Sequence, residues 1–271
     1  MTRVAAPLVY ITGASSGIGL ALAQRYHRAG WRLALLARRT EGLQAWRDEL
    51  GATTEFDFGV YRADVRDLAA LSGAASHCMA VQGLPDVVIA NAGMSVGVDL
   101  GDADDLEVMR ETLETNLLGL VATFQPFVRP MCERGTPSPS AGRPALVGVA
   151  SMTGIRGLPG HAAYCASKAG VIAACESLRG ELRPLGVDVV TLVPGYVATP
   201  LTRRNRYAMP FLMTAEAFAD KAFAAIAARA SYRVIPWQMG WVARLLRVLP
   251  DALLDRLLAG QPRKRRRGES D

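Results

Sequence analysis

The sequence predicts an α/β fold, a doubly wound parallel sheet in a single domain with a C-terminal helical extension. Two observations carry this prediction. Short apolar runs alternate with helical patterns along most of the 271 residues, which is the order of a parallel sheet with crossover helices. The run PDVVIANAG (85–93) is too apolar to be exposed on one side, as is typical of a strand covered on both faces.

The individual strands and helices can be placed in order along the chain. Strands are predicted at 8–12, 31–37, 58–65, 85–93, 145–151 and 186–195, with an edge strand at 231–237. A helix is predicted from the first glycine turn to Gly30, and others over 67–81, 106–127, 162–179 and 216–230. No repeat or linker interrupts them, so residues 1–236 are assigned to one domain, in which 199–214 form a lid over an apolar substrate.

Residues 237–260 are predicted to be two short amphipathic helices that Pro250 separates. Their apolar side chains need cover from the body, from a second subunit or from a membrane surface. We expect packing against the body or a partner subunit for the following side chains: Trp237, Trp241, Leu245, Leu246, Leu253, Leu254 and Leu257.

Composition limits the classes of protein that the chain can represent. No apolar run reaches the ~18–20 residues of a membrane span, and the N-terminus leads straight into a strand, so no signal peptide is expected. The four cysteines and three histidines show no spacing typical of disulfides or of a metal site. These features favour a cytoplasmic protein with reduced thiols and no bound metal.

A basic run, RKRRR (263–267), contributes much of the net charge of +6. Such a run can bind nucleic acid or anionic lipid, but at this place it is more often frayed and solvated. Residues 261–271 are therefore predicted to be a disordered tail. A nucleic-acid partner is not expected, and peripheral membrane contact through the C-terminus is the less favoured option.

A glycine-rich turn, GASSGIG (13–19), follows the first strand and opens the first helix. Gly13 permits a tight turn, Gly17 lets the backbone approach a pyrophosphate, and Gly19 allows close packing of helix on strand. The helix N-terminus offers N–H groups to phosphates, so the whole turn is a candidate cofactor site: Gly13, Ser15, Ser16, Gly17, Ile18 and Gly19. The same letters contain G-x-S-x-G, the pattern of a hydrolase nucleophile, for which His161 would be the candidate base.

The end of the second strand predicts the choice of cofactor. An Asp or Glu about 20 residues after the glycine turn would bind the 2′-OH of an adenosine ribose. Ala37 stands there instead, and Arg38 and Arg39 follow. Guanidinium groups cannot accept a hydrogen bond from a hydroxyl, but they bind a 2′-phosphate well. The sequence therefore predicts NADP (NADPH), with NAD less favoured.

Tyr164 and Lys168 are four residues apart, so on a helix they share one face. A free tyrosine, with a pKa near ~10, is a poor acid or base at neutral pH, and we expect a neighbouring ammonium group to lower that pKa. Ser151 ends the preceding strand and could hydrogen-bond the same substrate oxygen. The three residues form a candidate catalytic set.

Taken together, these residues resemble the short-chain dehydrogenase/reductase family in its single-domain Rossmann form. The resemblance runs from Leu8 to about Thr199. It comprises T-G-x-x-x-G-I-G (12–19), Asp64-Val65, Asn91-Ala92-Gly93, Asn116, Ser151, Tyr164-x-x-x-Lys168 and Pro194-Gly195. Ala90 replaces the first Asn of the usual N-N-A-G, a mild departure that we expect to be tolerated.

The resemblance implies hydride transfer between a nicotinamide cofactor and a carbonyl or alcohol. Tyr164 would be the general acid or base, Lys168 would hold the nicotinamide ribose, and Ser151 would orient the substrate oxygen. Asn116 would hold a water in a proton relay to Lys168. The remaining implied cofactor-binding residues are Asp64 and Val65 at the adenine, Asn91, Ala92 and Gly93 at the adenosine side and ribose, and Pro194, Gly195, Val197 and Thr199 at the carboxamide. Such proteins are commonly dimers or tetramers, so a homo-oligomer is expected.

The substrate is less well defined than the chemistry. The candidate pocket residues suggest a hydrophobic carbonyl or alcohol, because most are apolar: Met94, Met152, His161, Tyr196, Met209, Phe211 and Leu212. Two alternatives stay open. One is a regulatory protein that binds a dinucleotide without turnover, and the other is a membrane-surface protein that acts through the C-terminal helices.

Overall fold

The computed structural model describes residues 5–52, 54–134, 142–203, 205, 208–260 and 262–269. Its strands are β1 (Leu8–Thr12), β2 (Arg32–Ala37), β3 (Phe58–Arg62), β4 (Val87–Ala90), β5 (Ala145–Val149), β6 (Asp188–Pro194), β7 (Val197–Ala198), β8 (Met213–Thr214) and β9 (Tyr232–Ile235). Within these residues, one seven-stranded parallel sheet has the order β3-β2-β1-β4-β5-β6-β9, and β7 pairs with β8 separately.

The strand order determines where a ligand can bind. The chain builds outward from β1 to β3 and then returns to place β4 on the other side of β1. The connections after β1 and β4 therefore leave the sheet in opposite directions, which opens a crevice at the carboxyl ends of these strands. The predicted doubly wound parallel sheet is confirmed.

Helices cover both faces of this sheet. They are α1 (Gly17–Arg28), α2 (Glu41–Glu49), α3 (Leu68–Val81), α4 (Asp105–Leu113), α5 (Gly119–Arg134), α6 (Ala162–Leu182), α7 (Ala215–Ala227), α8 (Trp237–Val248) and α9 (Asp251–Leu258). Successive residues of β1 point to opposite faces. Leu8 and Tyr10 pack with side chains of α3, α5 and α6, whereas Val9 and Ile11 pack with those of α1 and α7. Both faces are buried, which explains why the strands are apolar throughout.

The single helix predicted over 106–127 is in fact interrupted. A π-helical turn at Glu114–Leu118 separates α4 from α5. Asn116 lies in this turn and is buried. π-turns are uncommon, and within α-helices they occur frequently at functional sites. The turn therefore indicates that the position of the Asn116 side chain is important for the site.

The two predicted C-terminal helices are present as α8 and α9, but the body covers only part of their apolar surface. Met239, Ala243 and Leu254 are buried. Trp237 and Trp241 are 65% and 63% exposed, and the following apolar side chains are exposed with them: Leu245, Val248, Leu253 and Leu257. The body therefore covers few of the side chains predicted to be packed, and packing of the others against a partner subunit stays a prediction. No helix among the residues that the structure describes is long and apolar enough to span a membrane.

The basic tail was expected to be frayed and solvated; residues 262–269 are mostly exposed, but they lie against the body. We call these residues the C-terminal strap. Lys264 is buried, and Gly97 N–H donates to the Arg265 carbonyl at 2.7 Å. The strap thus lies against the loop that follows β4. Residues 261, 270 and 271 of the predicted tail, and Arg204, Arg206 and Tyr207 of the predicted lid, lie outside the described residues.

Candidate active site

The crevice at the carboxyl ends of the strands brings together almost all of the predicted site residues. Its lining includes Gly13, Ser15, Ser16, Gly17, Ile18, Arg38, Arg39, Asp64, Val65, Asn91, Ala92, Gly93, Ser151, Tyr164, Lys168, Pro194, Gly195, Val197 and Thr199. Gly19 and Asn116 do not line it and lie behind it instead. Segments that are up to 186 positions apart therefore share one cleft, as the order of the sheet requires.

The glycine turn has the geometry that a dinucleotide phosphate needs. Gly13 and Gly17 have φ of +67° and +56°, in the left-handed region that favours glycine. A Cβ at Gly19 would lie 2.2 Å from the Gly13 carbonyl oxygen, so a side chain there would break the turn. Gly17 is the first residue of α1, whose N-terminal N–H groups are directed at the cleft. These residues fit a pyrophosphate.

Asn91 lines the cleft and also links two of its segments, and its contact with a ribose stays a prediction. Its amide nitrogen donates to the carbonyl oxygens of Thr12 and Gly13, at 3.1 and 3.2 Å. The Thr12 hydroxyl in turn accepts from the N–H groups of Asn91 and Ala92, at 3.2 and 3.3 Å. Asn91 therefore ties the end of β4 to the glycine turn and holds the cleft open at the switch point.

Arg38 lies at the rim of the cleft, directly after the buried Ala37 at the end of β2. Its side chain is 71% exposed, with Nη1 3.8 Å from an Asp64 oxygen. Arg66 holds the same carboxylate more closely, at 2.8 Å. The hydrogen bond from Arg66 lowers the pKa of Asp64. Because Asp64 is already neutralised by Arg66, the guanidinium of Arg38 is available to an anion at the rim.

The Ser/Tyr/Lys set meets on the other side of the cleft. Lys168 is buried, its Nζ donates to the Val149 carbonyl at 2.8 Å, and Nζ lies 5.9 Å from the centre of the Tyr164 ring. Ser151 lies two residues after β5 and hydrogen-bonds the Tyr164 side chain. Thr153 donates to the Ser151 hydroxyl from its N–H and its Oγ1, at 3.3 and 3.0 Å. A short turn after β5 therefore aims Ser151 at the tyrosine.

The surroundings of Tyr164 and Lys168 shift the pKa of both side chains. Burial raises the pKa of Tyr164 to about 12, although the hydrogen bond with Ser151 opposes the rise. Burial lowers the pKa of Lys168 to about 8. Removal from water thus outweighs the hydrogen bond with Ser151 in the chain by itself, and a lowering of this pKa by Lys168 stays a prediction. At neutral pH Tyr164 is a neutral phenol that can donate a proton.

Asn116 connects the π-turn to both walls of the site. Its amide nitrogen donates to the Met94 carbonyl and to the Ser167 hydroxyl, each at 2.9 Å, and its Oδ1 accepts from Met94 N–H at 2.8 Å. The Ser167 hydroxyl donates to the Tyr164 carbonyl at 2.8 Å. The amide thus joins the loop after β4 to the helix that carries Tyr164. The water relay that the resemblance implies stays a prediction.

The predicted substrate-pocket residues do not share one place in the structure, and Tyr196 packs, partly buried, against the core. Met94 lines the cleft, and Met209 and Leu212 line a neighbouring cavity beside Gly17. Phe211 is half exposed, and Met152 and His161 are buried. His161 begins α6 with its Nδ1 3.0 Å from the Pro159 carbonyl, and it does not line the cleft that holds Ser15. This placement gives no support to the hydrolase alternative.

Several contributors were not predicted from the sequence. Thr12 and Ser167 act through hydrogen bonds to site residues, while Thr115, Pro200, Leu201 and Thr202 line the cleft directly. Thr12 could have been found, because it is a polar residue that ends an apolar strand directly before the glycine turn. Ser167 carries no such signal, since its partner Asn116 is 51 positions away.

The pKa of Lys168 predicts a measurable dependence of stability on pH. Between pH 8 and 10.5 the unfolded chain binds a proton at this lysine that the folded chain does not, so the free energy of unfolding should rise with pH across this window. The shift corresponds to about 3 kcal/mol. Urea titrations of the wild type and Lys168→Met should show their difference in stability changing by about this amount over the window. A difference that is independent of pH would contradict the assignment.

The comparisons with known proteins agree with this geometry. The family model described as short chain dehydrogenase matches residues 7–209. An uncharacterized oxidoreductase of Myxococcus xanthus is 39% identical over 254 residues, which cover 90% of this chain and 93% of that protein. Dehydrogenase/reductase SDR family member 7B of Bos taurus is 31% identical over 278 residues, covering 97% of this chain and 83% of that protein.

Solved structures show the same fold. A short chain dehydrogenase/reductase from Burkholderia phymatum, determined in complex with NAD, superposes with a TM-score of 0.77 at 23% identity, covering 97% of this chain and 98% of that one. An alcohol dehydrogenase from Thermococcus sibiricus, complexed with 5-hydroxy-NADP, gives 0.73 at 24% identity, covering 85% and 96%. With the match of the family model to most of the chain, the conclusion is direct: this protein is an oxidoreductase of the short-chain dehydrogenase/reductase family.

Proposed function

We propose that the protein is an NADPH-dependent oxidoreductase that transfers a hydride between nicotinamide and a hydrophobic carbonyl or alcohol, with Tyr164 as the general acid or base. The observation that carries this proposal is the convergence of Tyr164, Ser151 and Lys168 at the cleft that the glycine turn borders. A regulatory protein that only binds a dinucleotide has no need of this set.

Each residue of the set has a step that follows from its surroundings. When bound, the nicotinamide supplies or accepts the hydride. In reduction, the phenol of Tyr164 donates its proton to the substrate oxygen, and the Ser151 hydroxyl hydrogen-bonds the same oxygen. The raised pKa keeps Tyr164 protonated at neutral pH, which suits the acid. In oxidation Tyr164 must first lose its proton, so that direction is expected to be faster at alkaline pH.

The preference for NADPH rests on the rim of the cleft. Ala37 provides no carboxylate for the diol of an adenosine ribose. Arg38 and Arg39 line the cleft directly after it. A 2′-phosphate next to these guanidinium groups would form charge-assisted hydrogen bonds that a hydroxyl cannot form with them.

A panel of substrates tests the proposal. NADPH oxidation would be measured with aldehydes, ketones and quinones of increasing apolar size, in parallel with direct measurement of NADPH binding. We expect turnover that favours the apolar members, because most of the predicted pocket side chains are apolar. Tight NADPH binding without oxidation by any member would favour the alternative of a non-catalytic binding protein.

The alternative of a membrane-surface protein has one observation in its favour, the exposed Trp237 and Trp241 on α8. An uncovered apolar stripe can equally be an interface between subunits. We favour a homo-oligomer, a dimer or a tetramer, and the same stripe offers it surface. We also place the protein in the cytoplasm, which the four free cysteines support.

A further inference from the structure

The C-terminal strap contacts the loop after β4 and Leu201 of the cleft lining, and the chemistry described so far gives it no task. Its backbone is seated closely on the body. A Cβ at Gly97 would lie 2.1 Å from the Lys264 carbonyl oxygen, and one at Gly160 would lie 2.9 Å from the Arg263 Cβ. Two glycines of the body thus leave the room that the strap occupies. Gly160 comes four residues before Tyr164, so this seat is next to the start of α6.

Opposite charges hold the outer side of the strap. Arg266 donates to the carboxylates of Asp102 and Asp105, the latter at 2.6 Å, and Asp105 is buried. The hydrogen bond from Arg266 lowers the pKa of both carboxylates. Two further ion pairs join Arg263 to Asp99 and Arg267 to Glu111. The basic run and the acidic segment 99–111 are therefore partners, which anchors the strap to the loop after β4 and to α4.

The Lys264 side chain leaves the anchored strap and contacts residues that follow β7. Its Nζ donates to the Asn205 side-chain oxygen at 2.6 Å and to the Leu201 carbonyl at 3.3 Å. The residue is only 7% exposed. Leu201 lines the same cleft as Tyr164 and Lys168. The ammonium of Lys264 thus reaches Leu201 and Asn205, two described residues of the predicted lid.

The choice of lysine at this position is notable within this chain. Of 31 basic residues, only Lys168, Lys221 and Lys264 are lysines. Lys168 and Lys264 are buried, whereas Lys221 is exposed on α7. An ammonium group is compact and directs its three donors freely, whereas a guanidinium is a larger planar group. A buried site with two oxygen acceptors suits the former.

We propose that Lys264 is a positioning residue for the substrate: it holds Leu201 and Asn205 against the anchored strap and so fixes the substrate end of the cleft. The inference rests on the proposed function, since it assigns the substrate to this end. Lys264 acts through the loop rather than on the reacting atoms. Its loss should therefore weaken the binding of substrate and transition state alike, which raises KM and leaves kcat nearly unchanged.

The test compares Lys264→Met with Lys221→Met, a matched control on the exposed lysine. Methionine keeps the length of the apolar stem and removes the donors. We expect KM for the best carbonyl of the panel to rise about tenfold or more, the usual effect of losing one charge-assisted hydrogen bond, with kcat within about twofold. The control should behave like the wild type.

A second readout needs no substrate. The N–H groups of Thr202 and Arg203 both donate to the Thr199 carbonyl at 3.1 Å. Hydrogen exchange at these two amides should become faster in Lys264→Met and not in Lys221→Met. Asn205→Leu removes the closer of the two acceptors of Lys264 without changing the strap, so it should reproduce both effects in the same direction even if Lys264→Met does not fold.

Unchanged exchange at Thr202 and Arg203, or an unchanged KM, would overturn the role of Lys264. The exchange measurement does not depend on turnover. A protein that reduces no carbonyl but shows the exchange effect would contradict the proposed function. It would still support the inference that Lys264 holds Leu201 and Asn205 in place.

Discussion

Replacing Tyr164 with Phe is expected to lower kcat for carbonyl reduction by about 10²–10⁴-fold, the range typical of losing a general acid. The ring would keep its packing, and the Tyr164 carbonyl would still accept from Ser167. The variant loses only the phenol hydroxyl that hydrogen-bonds Ser151. The affinity for NADPH should therefore stay near that of the wild type, which equilibrium titration would measure beside steady-state turnover.

Tyr10→Phe is the matched control. Tyr10 is also buried, but it lies in the core beneath the sheet, and its hydroxyl has no hydrogen-bond partner among the described residues. Removing that hydroxyl should leave turnover unchanged, since it costs no hydrogen bond. If Tyr164→Phe kept the turnover of Tyr10→Phe, Tyr164 would not be the acid.

The second large effect concerns the cofactor. The wild type is expected to prefer NADPH over NADH by about ten- to hundredfold, because one charge-assisted hydrogen bond contributes ~1.5–3 kcal/mol. The exposure of Arg38 and its 3.8 Å contact with Asp64 place the expectation toward the lower end. The double substitution Ala37→Asp with Arg38→Ile should invert the preference, since it supplies an acceptor for the ribose diol and repels a 2′-phosphate.

The measurement is the ratio of kcat/KM for the two cofactors in phosphate-free buffer. Arg39→Ile alone serves as the comparison, because Arg39 also lines the rim but follows the position that the double substitution changes. We expect it to reduce the preference less than the double substitution does. A wild type that used NADH equally well or better would refute the assignment of Arg38.

Much of the fold follows from the sequence because its strands are buried on both faces. The run 85–93 is apolar enough to identify β4, although the strand itself covers only Val87–Ala90, since the flanking polar residues belong to turns. The cofactor side is equally predictable. Gly13 and Gly17 have a left-handed φ, which favours glycine, so this turn can be recognised from its glycines in the sequence.

What the sequence does not predict depends on contacts between distant residues. The helix predicted over 106–127 breaks at Asn116, whose buried amide hydrogen-bonds Met94 and Ser167. The spacing of apolar residues in the sequence does not indicate such hydrogen-bond partners. The expectation of a frayed tail missed the contacts of residues 262–269 with the body for the same reason. Arg266 hydrogen-bonds Asp102 and Asp105, which lie more than 160 positions earlier in the chain. The sequence of the basic run alone does not indicate these partners.

The strap also has a consequence for synthesis on the ribosome. Domains generally begin to fold from their N-terminal part while the rest is being made. The residues that border the nucleotide side of the cleft, from Gly13 to Thr199, have all been translated well before the strap at 262–269. A nascent chain can therefore assemble its nucleotide side early, and it completes the substrate side only when the strap emerges. Products of premature termination ahead of residue 262 would be expected to bind the nucleotide and to hold substrate poorly.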